Sequence, residues 1–348
     1  MSRASRLYLY FPDWPAEDGR RWEAAFKAGD RFDESGPGAH LAESTRRVQR
    51  EAYARFLGFI SKNRPELLKE PPDARIDRLI VADYAAWRRR SCGEMGLAID
   101  LDHLRGALKL ICPGVDWSWL LTITKRIAAT APRGRRKYHL VTSERLYAVG
   151  LDLMEGAVRD ADAAGRVSKA HAFQYRDGLV IALLALIPVR SRTLVAMRIG
   201  KHLVKTNGLW ALDIPAADTK SQRALDYPVA PELSARIDLY LQRFRGRIPG
   251  AGTHVSPWAS NQGRPMGAMA VYDAVRKRTR KTFGFGVNLH RFRHAAASFW
   301  AIQDPANVRG AKDLLGQATF GVTEKHYIMA QSRIAGRSLA RLVDSLRR

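Results

Sequence analysis

Arg190, Lys220, His290, Arg293 and Tyr327 are the residue types that breaking a phosphodiester without a metal would require. His290 and Arg293 are three apart, so at the start of a helix they share a face and offer one anion both a proton-transfer group and a phosphate fork. Guanidinium pairs with the non-bridging oxygens of a phosphate. Arg190, arriving from a distant part of the chain, would complete a clamp for the charge that grows in a pentacoordinate transition state. Tyr327 is the candidate nucleophile. A phenol, with an ordinary pKa of about 10, needs nearby cations and a base before it attacks. Lys220 sits in the polar stretch Asp218-Thr219-Lys220-Ser221-Gln222, where a hairpin turn would let it protonate a departing 5′ oxygen. Taken singly, each residue has an ordinary reading: a solvated helix start, a turn lysine, a core aromatic. Their joint occurrence in this order is what points to chemistry.

The composition names the partner. The chain has 348 residues, with 58 Lys and Arg against 34 Asp and Glu, a formal charge of +24 spread along its length. A distributed basic surface suits a polyanion contacted at many phosphates, so nucleic acid is the expected partner. A membrane is not expected, because no apolar stretch approaches the ~20 residues of a spanning helix and no secretion signal precedes Pro12. Cys92 and Cys112 lack a second pair for a zinc site, which fits a reduced, cytoplasmic protein. His290 and His294 have the spacing of a helical zinc pair. With no acidic residue beside the first and no evident third ligand, a metal site is not expected there. Neither a Walker-type phosphate loop nor a cluster of acidic metal ligands is present, so no cofactor is expected.

The elements that must hold these residues are mostly helical. Residues 1–42 are rich in turn formers and carry Trp14, Trp22 and Phe26, a short lead-in with no assigned role. Residues 43–130 read as an all-helical domain, beginning with Val48, Ala52, Phe56 and Ile60 at four-residue steps and continuing through patterns near 81–90, 97–111 and 117–129. Residues 131–138 read as a basic linker, in which Arg133, Arg135, Arg136 and Lys137 either track a phosphate backbone or are simply solvated. A second domain, 139–331, opens on a helix start at Thr142 and has a long apolar helix around 177–187 that Pro188 ends. Strands at 210–214 and 225–229 then flank the Lys220 turn. Helix returns from Ala268, and Asp304-Pro305 starts another that ends at Gly316. Residues 332–348 form an amphipathic C-terminal helix, with Ile334, Leu339, Leu342, Val343 and Leu346 near one face.

Four stretches, Pro188 to Leu194, the Lys220 turn, Leu289-His290-Arg291-Phe292-Arg293-His294, and Leu314-Leu315-Gly316-Gln317 with Lys325-His326-Tyr327, together resemble the signature of the tyrosine recombinase (phage integrase) family. The resemblance implies a mainly α fold with a small antiparallel β-sheet, in which a helical core-binding domain is joined to a mixed α+β catalytic domain. It also implies site-specific DNA strand cleavage and rejoining through a 3′-phosphotyrosyl link. On it, Arg190 and Arg293 are the clamp, with Leu194 and Met197 packing below the first. Lys220 is the general acid, His290 assists proton transfer, Gln317 adds a hydrogen bond, and Tyr327 is the nucleophile. The family has His or Trp where this chain has Gln317, an amide that donates a hydrogen bond but does not titrate near neutrality. The step from Gln317 to Tyr327 is also about one residue longer than in the family. Further implications are double-stranded DNA as the partner, a tetramer on it, room for accessory DNA-bending proteins, a nucleoid-associated location, and a role in mobile-element integration or excision. The C-terminal helix either docks on a neighbouring protomer, as the family's does, or folds back on its own domain. Two other readings use nearly the same residues: a catalytically weak DNA-binding regulator of this fold, and type IB topoisomerase-like relaxation.

Overall fold

The structure, a computed structural model, describes residues 8–132, 141–219, 222 and 224–303, with side chains to residue 300. The chain divides into two units, Met1–Lys137 and Tyr138–Arg348. The four linker cations expected to track DNA (Arg133, Arg135, Arg136, Lys137), the candidates Lys220, Gln317 and Tyr327, the expected 304–316 helix and the C-terminal helix all lie outside the described residues. No described helix is long and apolar enough to cross a membrane.

The first unit is helical: α1 (Ala16–Ala24), α2 (Glu43–Asn63), α3 (Arg78–Arg89), α4 (Glu94–Ile111) and α5 (Ser118–Thr130). From Ala52 to Ile60, α2 buries every residue except Glu51's neighbour-but-three Arg55, so this half of the helix is enclosed on all sides and not along one stripe. The lead-in supplies part of that enclosure. Trp14 is buried against Tyr53 and Trp22 against Trp14, and Leu9 donates its backbone N–H to the Ala54 carbonyl at 2.9 Å. Asp18 of α1 is fully buried; it accepts from the Tyr53 hydroxyl at 2.8 Å and pairs with the equally buried Arg75. Arg75 spends its remaining donors on the carbonyls of Leu67, Leu68 and Glu70. The hydrogen bonds of Asp18 Oδ2 and Arg75 offset the cost of burying the pair, while Asp18 Oδ1 is buried with no hydrogen-bond partner among the described residues. The described part of the turn-rich lead-in, from residue 8 on, therefore contributes to this unit's core.

The second unit is built on α6 (Ser143–Ala163) and α7 (Lys169–Leu186). The Thr142 side chain accepts from the Arg145 N–H at 3.3 Å and caps α6. α7 begins eight residues before its apolar run, because Ser168 and His171 form a reciprocal capping box with histidine where Glu or Gln is usual. The two helices approach most closely at Gly150 and Gly178. A Cβ on Gly178 would fall 2.7 Å from the Gly150 carbonyl oxygen, and one on Gly150 would fall 2.7 Å from the Ala182 nitrogen. α7 is thereby buried almost all round from Ala172 to Ala185 and serves as the unit's axis.

After the short α8 (Ser191–Ala196), three strands form an antiparallel sheet in the order β1 (Leu203–Thr206), β2 (Leu209–Ile214), β3 (Leu225–Pro228). Leu203 pairs with Leu212 across β1 and β2, and Leu212 with Tyr227 across β2 and β3. Asn207 and Gly208, at φ 51° and 81°, make the two-residue turn between β1 and β2. Both central residues of such a turn need positive φ, which Asn-Gly supplies. The chain then runs through α9 (Pro231–Leu239) and one π-helical turn, Tyr240–Phe244, to α10 (Ala268–Phe283) and α11 (Leu289–Gln303). The architecture is mainly helical with one small antiparallel sheet.

Candidate active site

Arg190 follows the break that Pro188 imposes after α7 and is the N-cap residue of α8, with extended backbone at φ −67° and ψ 148°. It caps through its carbonyl, which accepts from the Leu194 N–H at 2.9 Å, leaving the side chain uncommitted to the helix end. Below it, Leu194 and Met197 are buried, and Trp258 donates its indole N–H to the Leu194 carbonyl at 3.0 Å. This corner is held by packing from beneath.

His290 and Arg293 lie in the first turn and a half of α11. Asn288 accepts from the Arg291 N–H at 3.1 Å and starts the helix, while Phe292, Ala295 and Ala296 are buried and fix its inner face. The approach to α11 is held in turn by Thr279 of α10, whose buried hydroxyl accepts the Val287 N–H at 2.9 Å.

The two arginines meet. Arg293 Nη1 donates to the Pro188 carbonyl at 2.5 Å, two residues before Arg190. Burial, and after it the charge of Arg190, push the Arg293 guanidinium down to about 10, with Tyr227 on β3 acting the other way. Partial burial and then the Arg293 charge hold His290 below the usual histidine range. Its ring meets that of His294 edge-on, with centroids 4.4 Å apart. At neutral pH the arrangement is two crowded cations beside an imidazole whose neutral form is favoured. An anion placed between the guanidiniums would relieve their mutual repulsion.

Of the sequence candidates, the described structure brings together Arg190, His290 and Arg293, residues up to 103 positions apart in the sequence. Sequence reasoning missed Pro188 as an acceptor, Tyr227, Asn288 and Thr279. None of these belongs to a pattern with a fixed spacing, and only Asn288, an N-cap type before a helical run, carried a local signal. It also missed the anchor at the root of the β2–β3 connection. Asp218 accepts from Lys201 Nζ and from His202 Nε2, both at 2.9 Å, and these two contacts hold its carboxyl below the usual range. His202 Nδ1 accepts the Arg198 N–H at 3.2 Å, so its proton sits on Nε2 and points at Asp218.

No protein-family profile matches the sequence, and no curated protein sequence does. Solved structures match. A lambda integrase fragment (75–356), as a dimer bound to a COC′ core site, is 12% identical with a TM-score of 0.53, covering 84% of this chain and 90% of that one. The XerH site-specific recombinase bound to a palindromic difH substrate, in a post-cleavage complex, is 13% identical with a TM-score of 0.47, covering 94% and 96%. The XerA recombinase is 15% identical with a TM-score of 0.42, covering 87% and 94%. The likeness to lambda integrase shows the fold: this chain has the tyrosine recombinase fold.

Proposed function

We propose that this protein is a tyrosine-type site-specific DNA recombinase that cleaves and rejoins strands through a 3′-phosphotyrosyl intermediate. The observation that carries the reading is the convergence of Arg190 and Arg293 beside His290, close enough that the Arg190 charge lowers the Arg293 guanidinium and the Arg293 charge lowers His290. Mutual repulsion of this kind favours a bound phosphate, and most of all a phosphoryl group gaining charge in the transition state.

Tyr327 Oη attacks the scissile phosphorus, the phenolic proton passes toward His290, and the P–O5′ bond breaks. His290 suits this because its neutral imidazole is the form that accepts a proton. Lys220 protonates the departing 5′ oxygen. Arg190, Arg293 and the Gln317 amide hold the non-bridging oxygens. The phosphodiester energy stays in the tyrosyl ester, so a 5′-hydroxyl of the partner duplex rejoins the strands by attacking the same phosphorus, releasing the phenol. Neither ATP nor a divalent metal enters this scheme. Lys277, Arg280 and Lys281, all exposed on α10 of the same unit, offer additional cations to the DNA backbone. Four protomers on two duplexes, exchanging strands through a Holliday junction within a mobile element's integration or excision, complete the proposal.

The test is a nicked suicide duplex from the ends of the surrounding genetic element, incubated with chelator and resolved on a denaturing gel beside Tyr327→Phe. A covalent adduct that disappears in the variant is expected. Tight DNA binding without an adduct would reject strand cleavage and favour a DNA-binding regulator.

A further inference from the structure

The loop between α1 and α2 displays the most exposed large apolar side chain among the described residues, and it does so on a built turn. Asp30 Oδ1 accepts the N–H groups of Phe32 and Asp33 at 2.7 and 2.9 Å, and Asp30 N–H donates to the Asp33 carbonyl at 3.0 Å. Lys27 Nζ pairs with Asp33 at 2.9 Å, and Gly36 N–H closes the loop on the Lys27 carbonyl. At its tip, Phe32 is 96% exposed. The hydrogen-bonded turn holds the phenyl ring out in water, preorganised for a partner surface.

The same unit carries a cavity suited to such a ring. Val81, Ala82 and Ala85 of α3 and Ile123 and Ile127 of α5 line a groove of about 210 Å³, with Arg78 and Arg89 at its ends. A dry apolar cavity of about 150 Å³ is enough to take up benzene. Beside the groove, Leu79 is 76% exposed.

We infer that the Phe32 loop of one copy of this chain plugs the α3–α5 groove of a second copy. Phe32 is not in its own groove, since its ring is almost wholly exposed. Charge selects the partner. The loop offers Asp30 and Glu34 against Arg31, its Asp33 being paired with Lys27, and two contacts to backbone N–H keep Asp30 ionised. The groove is flanked by guanidiniums: that of Arg78 lies over Trp119, and that of Arg89 is shared with Glu94. In a chain of +24 an acidic loop is repelled by phosphate and attracted to the chain's own basic surface. Because plug and groove are different patches, the contact is head-to-tail, and each copy has one of each to offer.

The inference is independent of strand cleavage and is tested on the full chain by sedimentation velocity over a concentration series. Wild type is expected to self-associate. Phe32→Ala removes the plug, and Ala82→Glu places a carboxylate in the groove against the acidic loop. Both positions are exposed, so thermal unfolding should match wild type. Each variant alone should be monomeric. Mixed, they should form a one-to-one heterodimer that grows no further, since the first keeps its groove and the second its plug. The inference is overturned by a monomeric wild type, by Phe32→Ala associating as wild type does, or by a mixture that stays monomeric. Loss of DNA affinity in Phe32→Ala with association unchanged would assign the loop to DNA and overturn it equally.

Discussion

Replacing Arg190 by Ala isolates the clamp from the fold. Arg190 starts α8 through its carbonyl and not its side chain, and the packing below the corner belongs to Leu194 and Met197, so the helix should survive the change. Burial and then the charge of Arg190 lower the Arg293 guanidinium to about 10. Removing Arg190 lifts the second contribution, yet Arg293 is protonated at neutral pH in either case. In the proposed mechanism the variant loses one of two donors to the phosphoryl oxygens, not the charge of the other. A preorganised donor to a developing oxyanion is worth about 2.7–4 kcal/mol, or roughly 100- to 1,000-fold in rate. Single-turnover cleavage of the suicide duplex should slow by that factor. DNA affinity should fall far less, with the salt dependence of binding reduced by about one phosphate contact. If affinity and rate fell by the same factor, Arg190 would be binding ground state and transition state alike, and the transition-state argument would be refuted.

Gly178→Ala should destabilise the second unit by about 1–2 kcal/mol, because overpacking typically costs about 1–3 kcal/mol and the gain in helix propensity returns only part of it. Its Cβ would meet the Gly150 carbonyl at 2.7 Å and Leu153 Cβ at 2.9 Å, and chemical denaturation reads the loss; an unchanged midpoint would mean that α6 and α7 separate freely. Asp18→Asn leaves Arg75 buried without its counter-charge and should cost about 3–5 kcal/mol, which the same measurement on the first unit would detect. By the same reasoning, deletion of residues 1–42 should leave the first unit unfolded by circular dichroism. His290 and His254 are both held below the usual histidine value, chiefly by burial. The unfolded chain therefore binds more protons than the folded one just below pH 6.5, and stability should decline as pH falls from about 6.5 through the folded values. His254→Gln with His290→Gln should flatten that slope in a pH series of thermal unfolding.

Local physics made much of this protein legible from residues alone. The four-residue steps of α2, the Thr142 cap, the strands at 210–214 and 225–229 and the three-residue step from His290 to Arg293 are consequences of helical and strand periods, which depend only on neighbours in the chain. The start of α7 at Lys169 escaped because histidine takes the place of the usual acidic partner in its capping box. The Asn207-Gly208 turn was a local signal left unread, and with it β1. What only tertiary structure decided is where charges end up. That Asp18 of a turn-rich lead-in meets Arg75 inside a core, that Asp218 is gripped by Lys201 and His202, and that Arg293 reaches back across the chain to the Pro188 carbonyl beside Arg190 are all outcomes of packing. Periodicity says which face of a helix is apolar. The depression of the Arg293 guanidinium instead arises from desolvation and from a charge distant in sequence, and both act through space, so they exist only once the helices have closed around them.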